Sequence, residues 1–260
     1  SKNSIKVTNI NFNSKKKLKR IDQIDIDLVN NNDQISQLNI KRKKNNYSIN
    51  SKIFDGTKIL DRILFSKSDG NFFDVFEKLN SKVTINFNTI YITNEDYLTN
   101  FKVDMIVNNN QIKDLILSSQ FSTKEDLKLS IKTNSNNERI TDLFAGNAKP
   151  LVKKYDFIKG FEGGYLKFDS IEKNKVSNSN LKIFDFKLKE VPALTKLLTL
   201  ASLQGIADLL TGEGIRFNEF EMNFNNKAGL MTIEEIYSLG PSISILMDGY
   251  IQKDDLVSLR

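Results

Sequence analysis

The sequence predicts a mainly β protein with a few helices, whose strands form an antiparallel meander. Apolar and polar residues alternate over several stretches, which is typical of strands with one apolar and one polar face. Clusters of Asn, Asp, Lys and Gly separate these stretches at the spacing of hairpin turns. The 260 residues are enough for one large domain or two small ones, and 18 Phe contribute to a core.

The strands are clearest where apolar residues recur at every second position. This alternation covers 83–87, 101–107, 127–131 and 243–251. A weaker repeat of strand, Asn-rich turn and strand occurs at 27–40, 105–117 and 222–236. Repeated units that cannot bury their own apolar face usually stack into an extended array. The alternative is a chance similarity within an Asn-rich chain.

Helical patterns are few. Short ones are predicted over 57–65, 72–79 and 140–159, the last of them broken between Gly146 and Pro150. The strongest covers 192–211, with Pro192 in its first turn and Gly212 after its end. Its apolar residues occupy nearly all sides and include Leu194, Leu197, Leu198, Leu200, Leu203, Ile206 and Leu210. A helix of this kind is either buried in a core or set against lipid, and both hypotheses stay open.

Nothing in the sequence predicts an enzyme, a cofactor or a metal site. His and Cys are absent, which excludes the common zinc sites, thiol nucleophiles and Ser-His-Asp triads. Glu234 and Glu235 are adjacent and would point to opposite faces of a strand. Asp22, Asp25 and Asp27 lie in an amphipathic strand pattern, and no glycine turn or closing Glu follows them as in a calcium loop.

Positive charge is concentrated at the start of the chain. Residues 1–50 hold 11 Lys or Arg and 4 Asp or Glu, whereas the whole chain has a net charge of +6. The excess lies in the runs 15–20 and 41–44. One interpretation is contact with the phosphates of nucleic acid or anionic lipid. The other is a solvated sheet edge whose lysines prevent edge-to-edge pairing.

The C-terminal half resembles a known family. The order of NLKIFDFKL, VPALTKLLTLASLQGIADLLTGEGI and RFNEFEMNFNNKAGLMTIEEIYSLGPSISILMDGYI is similar to the AsmA-like C-terminal region of YhdP-type envelope proteins. The upstream block LFAGNAKPLVKKYDFIKGFEGGYLKF is also similar to that region. The resemblance is specific over 140–260, holds only as a pattern over 50–140, and is nearly absent over 1–50.

This resemblance implies a bridge-like lipid transfer protein without catalytic residues. The family's fold is an elongated, twisted antiparallel sheet that curls into an open groove, with an apolar helix near the C-terminal part. Residues 1–139 would form a groove segment of repeated hairpins and 140–260 the AsmA-like region, in one continuous groove cut from a longer chain. The implied location is the periplasm of a diderm bacterium, with an anchor in the inner membrane outside this fragment.

The implied function is non-enzymatic transport of phospholipid between the inner and outer membranes, with acyl chains and membranes as partners, alongside envelope proteins. Candidate groove-lining residues are Val83, Ile85, Phe87, Val103, Met105, Phe220, Met222, Phe224, Ile243, Ile245 and Met247. The leucines and Ile206 of the 192–211 helix are the candidate gate or plug.

Two alternatives remain. The first is a structural scaffold of the bacterial envelope, in which the apolar faces form a dry core. The second is a nucleic-acid binder that uses the basic runs. The second is weakened because no aromatic residues are interleaved with those runs.

Overall fold

The computed structural model describes residues 3–29, 35–57, 73, 76–155, 159–189, 214–252 and 257–259. They fall into two compact units, Ser1–Lys132 and Thr133–Arg260. This division lies close to the predicted one between 139 and 140. The described residues of both units lie mostly in strands, so the prediction of a mainly β chain is confirmed.

In the first unit the described residues form eight strands, and each strand is paired with the next one in the sequence. They are β1 (Ser4–Phe12), β2 (Leu18–Val29), β3 (Ile35–Lys43), β4 (Asn46–Asp55), β5 (Ser81–Tyr91), β6 (Tyr97–Asn108), β7 (Gln111–Phe121) and β8 (Asp126–Thr133). The alternations at 83–87, 101–107 and 127–131 lie in β5, β6 and β8, as predicted.

In the second unit the described residues form seven strands and one short helix. They are β9 (Arg139–Ala145), α1 (Lys149–Lys154), β10 (Phe161–Lys173), β11 (Val176–Leu188), β12 (Ile215–Lys227), β13 (Leu230–Leu239), β14 (Ser244–Ile251) and β15 (Val257–Leu259). Each described pair of neighbours in this unit is antiparallel. The alternation predicted over 243–251 corresponds to β14.

The helical pattern over 140–159 is only partly correct. Lys149–Lys154 is helical, with Pro150 at its start, where the missing amide hydrogen costs nothing. The first part of the predicted pattern is instead the strand β9, in which Leu143 pairs with Phe168 and Ala145 with Leu166. The prediction of a helical turn there was wrong because so short a stretch fits either period, and pairing with β10 decides the outcome.

The other predicted helices fall largely outside the described residues. The helix over 192–211 with its leucines does so completely, as does 57–65 except for Thr57. Of 72–79, the structure describes Phe73 and 76–79. Phe76 forms a parallel bridge with Leu18, so residues 76–79 are not helical.

One parallel pair interrupts the meander. β4 and β5 run in the same direction, with Tyr47 opposite Val83 and Ile49 opposite Ile85. Parallel neighbours require a crossover, here the segment between 56 and 80, so the prediction of a meander throughout was wrong at this point. Within that segment Phe76 lies edge-on to Tyr47, with ring centroids 6.2 Å apart, and thus lies against the start of β4.

Asparagine forms some, but not all, of the predicted hairpin turns. Asn109 and Asn110 both have positive φ and form the tight turn between β6 and β7, as the Asn-rich pattern predicted. In the third repeat the turn is instead Ala228–Gly229, and Asn225 and Asn226 stay within β12. The turn of the first repeat lies outside the described residues.

Asn100 has positive φ inside a strand, which keeps buried residues on one face. The register of β6 against β7 shifts between Thr99 and Lys102, and Asn100 has φ 52°. Leu98 and Phe101 are both buried, although three positions rather than two separate them. The bulge at Asn100 therefore brings both apolar side chains to the same side of the sheet.

We predict that Asn100→Val lowers the free energy of unfolding by about 1–2 kcal/mol, because a left-handed backbone disfavours side chains other than those of Gly, Asn and Asp. Urea denaturation of the purified chain measures this change. Asn88→Val is the matched control, since Asn88 is also exposed but lies on β5 without a positive φ. An equal loss in both variants would contradict the role of the bulge.

Candidate functional site

The predicted groove residues of the first unit share one face of the sheet. Val83 lies directly opposite Met105, Ile85 opposite Val103, and Phe87 opposite Phe101. Side chains of directly paired residues point to the same side. The structure therefore brings these predicted positions together on β5 and β6.

Most of these residues are already covered by protein. The exposed fraction is 3% for Val83, 1% for Val103 and 4% for Met105, and only Ile85 of the five is half-buried. Leu117 on β7 and Leu129 on β8 continue the face and are equally buried. Over β5–β8 this face is a dry core, and a ligand would reach it only if the covering residues moved.

One apolar row crosses the eight described strands of this unit. Successive cross-strand partners carry it from β8 to β1 without a polar residue. The row consists of Leu129, Leu117, Val103, Ile85, Ile49, Ile40, Ile24 and Val7. Register alone thus gives an uninterrupted apolar path from the covered strands to the edge strand.

The exposed fraction of the side chains rises along this row from β7 to β1. Leu117 is 2% exposed, Ile85 and Ile24 are half-buried, and Val7 is 43% exposed. A second row on the same face, Leu38–Ile26–Ile5, ends with Ile5 at 67% exposure. We call the six residues Ile5, Val7, Ile24, Ile26, Leu38 and Ile40 the open apolar face.

Sequence reasoning missed the open apolar face. The signal was present, because Ile24 and Ile26 alternate with Asp25 and Asp27, and Ile5 and Val7 flank Lys6. It was given little weight because Lys, Asn and Asp dominate the first 50 residues. Exposed apolar groups in one contiguous patch mark binding surfaces more often than scattered ones do.

The opposite face of the same strands is polar. Asp25 accepts hydrogen bonds from Gln23 Nε2 at 2.6 Å and from Asn39 Nδ2, and these bonds lower the pKa of Asp25. Ser4 Oγ donates to Asp27. No group of acidic side chains arranged to hold a metal occurs among the described residues. The hydrogen bonds fix which side of β2 faces away from the apolar row.

The second unit shows the same pattern. Met222 pairs with Ile236, which pairs with Met247, and Phe220 is joined to Ile245 through Ser238. Phe224 lies two positions further along β12. These predicted groove residues therefore share one face, on which Phe220, Phe224, Ile245 and Met247 are half-buried.

Ile243 does not belong to the strand that follows it. It precedes β14, and its carbonyl oxygen accepts a hydrogen bond from the Gly240 amide at 3.0 Å. Its half-buried side chain lies in the β13–β14 turn rather than in a paired row. The alternation in the sequence continued one step too far here, because a turn residue can match the period by chance.

A network centred on Glu221 fixes the polar face of β12. Its carboxylate accepts from Lys182 Nζ at 2.9 Å, Tyr237 Oη at 2.8 Å and Asn180 Nδ2 at 2.5 Å. Burial alone would raise the pKa of Glu221, but these hydrogen bonds hold it below its ordinary value. The hydrogen bond to Glu221 raises the pKa of Tyr237 to about 12. Since Glu221 separates Phe220 and Met222, the network fixes both on the other face.

No helix in the part of the chain that the structure describes is long and apolar enough to cross a membrane. The candidate gate residues on 192–211 lie outside those residues.

We predict that Glu221→Gln destabilises the protein at neutral pH and that the loss disappears in acid. A carboxylate with a lowered folded-state pKa stabilises the fold above its unfolded pKa, and this contribution is lost as the pH falls through the folded value. Urea denaturation between about pH 7 and pH 3 measures the difference. Glu235→Gln removes one exposed charge from the neighbouring strand and is the control. A pH-independent difference for Glu221→Gln would contradict the proposed role.

A scan against models of known protein families, a search of the curated proteins and a search of the solved structures each gave no significant match to this chain. The resemblance to the AsmA-like region therefore stays a prediction from the motifs quoted above.

Proposed function

We propose that this chain is part of a non-enzymatic lipid-transfer protein and that the open apolar face is a wall of its groove. The proposal includes the finer architecture predicted from the sequence, an elongated open groove with an apolar helix near its C-terminal part. It also includes membership of the AsmA-like family and transport of phospholipid between the inner and outer membranes of a diderm bacterium, in support of outer-membrane lipid homeostasis.

The observation that carries the proposal is the rise in solvent exposure of the side chains along one apolar row, from β8 to β1. A dry core such as that around Val103 needs no ligand. At the other end of the same row, the side chain of Ile24 is half-buried and that of Val7 is exposed to solvent. Strands lie about 4.8 Å apart, so β1–β3, which carry the open apolar face, provide an apolar strip roughly 10 Å wide.

Such a strip suits acyl chains physically. Each CH₂ group removed from water stabilises the bound state by about 0.8 kcal/mol. A phospholipid that leaves a bilayer must expose two such chains to water, which makes unassisted transfer slow. A continuous apolar surface removes most of this barrier because it never requires the chains to enter water. The head group stays hydrated throughout.

The scaffold hypothesis also has an observation in its favour. Val83, Phe87, Val103 and Met105 were predicted to line a groove, and all four are covered by protein. If the open apolar face is covered in the same way by another envelope protein, the whole row is structural. Purified protein would then carry no lipid.

We predict that Val7→Asp lowers the lipid retained by the purified protein roughly tenfold, which corresponds to about 1.4 kcal/mol of lost contact with an acyl chain. Native mass spectrometry with solvent extraction measures the bound lipid. Both Val7 and Thr8 are exposed on β1, so neither change is expected to unfold the protein.

Thr8→Asp is the matched control, because it places the same charge on the adjacent residue but on the opposite face of the strand. Equal lipid in both variants and the wild type would refute the open apolar face as a lipid site. Lipid-free wild-type protein that stays compact and monodisperse would favour the scaffold.

A further inference from the structure

β1 is the outermost strand in the described part of the first unit's sheet. It pairs with β2 on one side, and no described strand pairs with its other edge. All nine residues from Ser4 to Phe12 are exposed. Natural edge strands are usually protected by several charges, by proline or by a covering segment. β1 contains no proline, and Lys6 is its only charged residue, so its outer edge is open to a further strand.

The side chains of β1 change face once along the strand. Asn9 has a φ of 52°, and it lines an open cavity together with the preceding Thr8. The other residues that line this cavity are all polar or charged, so it lies on the polar side of the sheet. Because two consecutive residues point to that side, Val7 and Ile10, which flank them, both lie on the apolar side. There Ile10 pairs with the buried Ile21 of β2.

Neighbouring strands change face at the same level. β2 does so opposite β1, since the consecutive residues Asp22 and Gln23 both line the same cavity. On β5 the buried Phe87 and Ile90 are three positions apart, and they lie opposite the two buried residues that flank the Thr99–Asn100 pair of β6. A regular strand would therefore match β1 over only half of its length, unless its register shifted as it does between β6 and β7.

The apolar pattern of β1 is symmetric about the bond between positions 8 and 9. Its apolar residues follow one another at intervals of two, three and two, as Ile5, Val7, Ile10 and Phe12. A second copy of β1 can pair antiparallel with the first about a twofold axis at this bond. Ile5 then lies opposite Phe12, and Val7 lies opposite Ile10. Every apolar residue of the strand thus meets an apolar partner on one face.

The same register suits the polar side of the strand. Lys6 of one copy lies opposite Asn11 of the other, so the two lysines do not face each other. Thr8 lies opposite Asn9, so both strands change face at the same level, as β1 and β2 do. A shift of one residue in either direction would place Val7 opposite Asn9 or Asn11. The twofold pairing about positions 8 and 9 is therefore strongly specified.

We propose that the outer edge of β1 pairs with the same edge of a second copy of this chain, with Val7 opposite Ile10. The pairing brings four side chains that are 41–67% exposed in the single chain against apolar partners. It also joins the open apolar faces of the two copies across the axis into one surface. The dimer needs only the edge of β1, so it forms with or without bound lipid.

The register can be tested with cysteines, because the chain contains none. Lys6→Cys and Asn11→Cys are prepared as separate proteins and mixed under mild oxidation. These positions lie directly opposite each other in the proposed dimer, so the mixture is expected to form a disulfide-linked dimer. In either variant alone the two cysteines would be roughly 17 Å apart, five residues along the strand, which is too far for a disulfide.

Sedimentation equilibrium of lipid-free protein tests the association itself. Between about 1 and 100 μM, a range that suits a small interface, the wild type is expected to change from monomer to dimer. Val7→Lys/Ile10→Lys is expected to weaken association at least roughly tenfold, because like charges would face each other twice across the axis. Val7→Lys/Ile10→Glu is the matched control, since it places opposite charges at the same positions and is expected to associate more strongly than the double-lysine variant. Both positions are exposed, so neither variant is expected to unfold.

Disulfide-linked dimers that form only in the mixture of the two cysteine variants would support the inference. Equal linkage in each cysteine variant alone would overturn the proposed register, and so would equal association of the two charge variants. A wild type that stays monomeric over the whole concentration range would overturn the inference and leave the edge of β1 to a strand of different sequence. Since no lipid is present, none of these outcomes decides the proposed function.

Discussion

Cross-strand register is the constraint on which the rest of this structure depends. Backbone pairing fixes which residue lies opposite which, and paired residues must share a face. Once Ile85 lies opposite both Ile49 and Val103, apolar character is transmitted in both directions along the sheet. A slip of one residue at β1, for example, would bring Lys6 or Thr8 into the row in place of Val7. The dry core and the open apolar face are therefore two ends of one arrangement.

Departures from ideal strand geometry maintain this arrangement. Asn100 on β6 and Asp185 on β11 adopt φ near 50°, and on each strand the buried residues beside them are three positions apart. Asn and Asp tolerate this backbone at little cost, so the abundance of Asn has a structural use within the strands as well as in turns.

Local alternation was sufficient for the clearest strands and their faces, such as β5 and β6, but not for β9, whose residues were predicted to be helical. Alternation does not predict which residues of an apolar face are buried. Val103 and Val7 occupy the same row and match the same pattern, yet one is buried and the other exposed, because cover depends on what packs above the sheet. The parallel pairing of β4 with β5 also has no local signal. The meeting of the two basic runs at one end of the sheet also has no local signal, because it follows only from the direction of the strands.

The crossover between β4 and β5 has a consequence for how the chain folds. Each antiparallel pair in the first unit joins neighbouring segments through a short connection, so it forms with little loss of loop entropy. Joining Tyr47 to Val83 requires a much longer loop to close first. The two groups of strands, β1–β4 and β5–β8, can each collapse before that event. Closing that loop costs more chain entropy than any hairpin of the unit, so the pairing of β4 with β5 is expected to be slower than theirs.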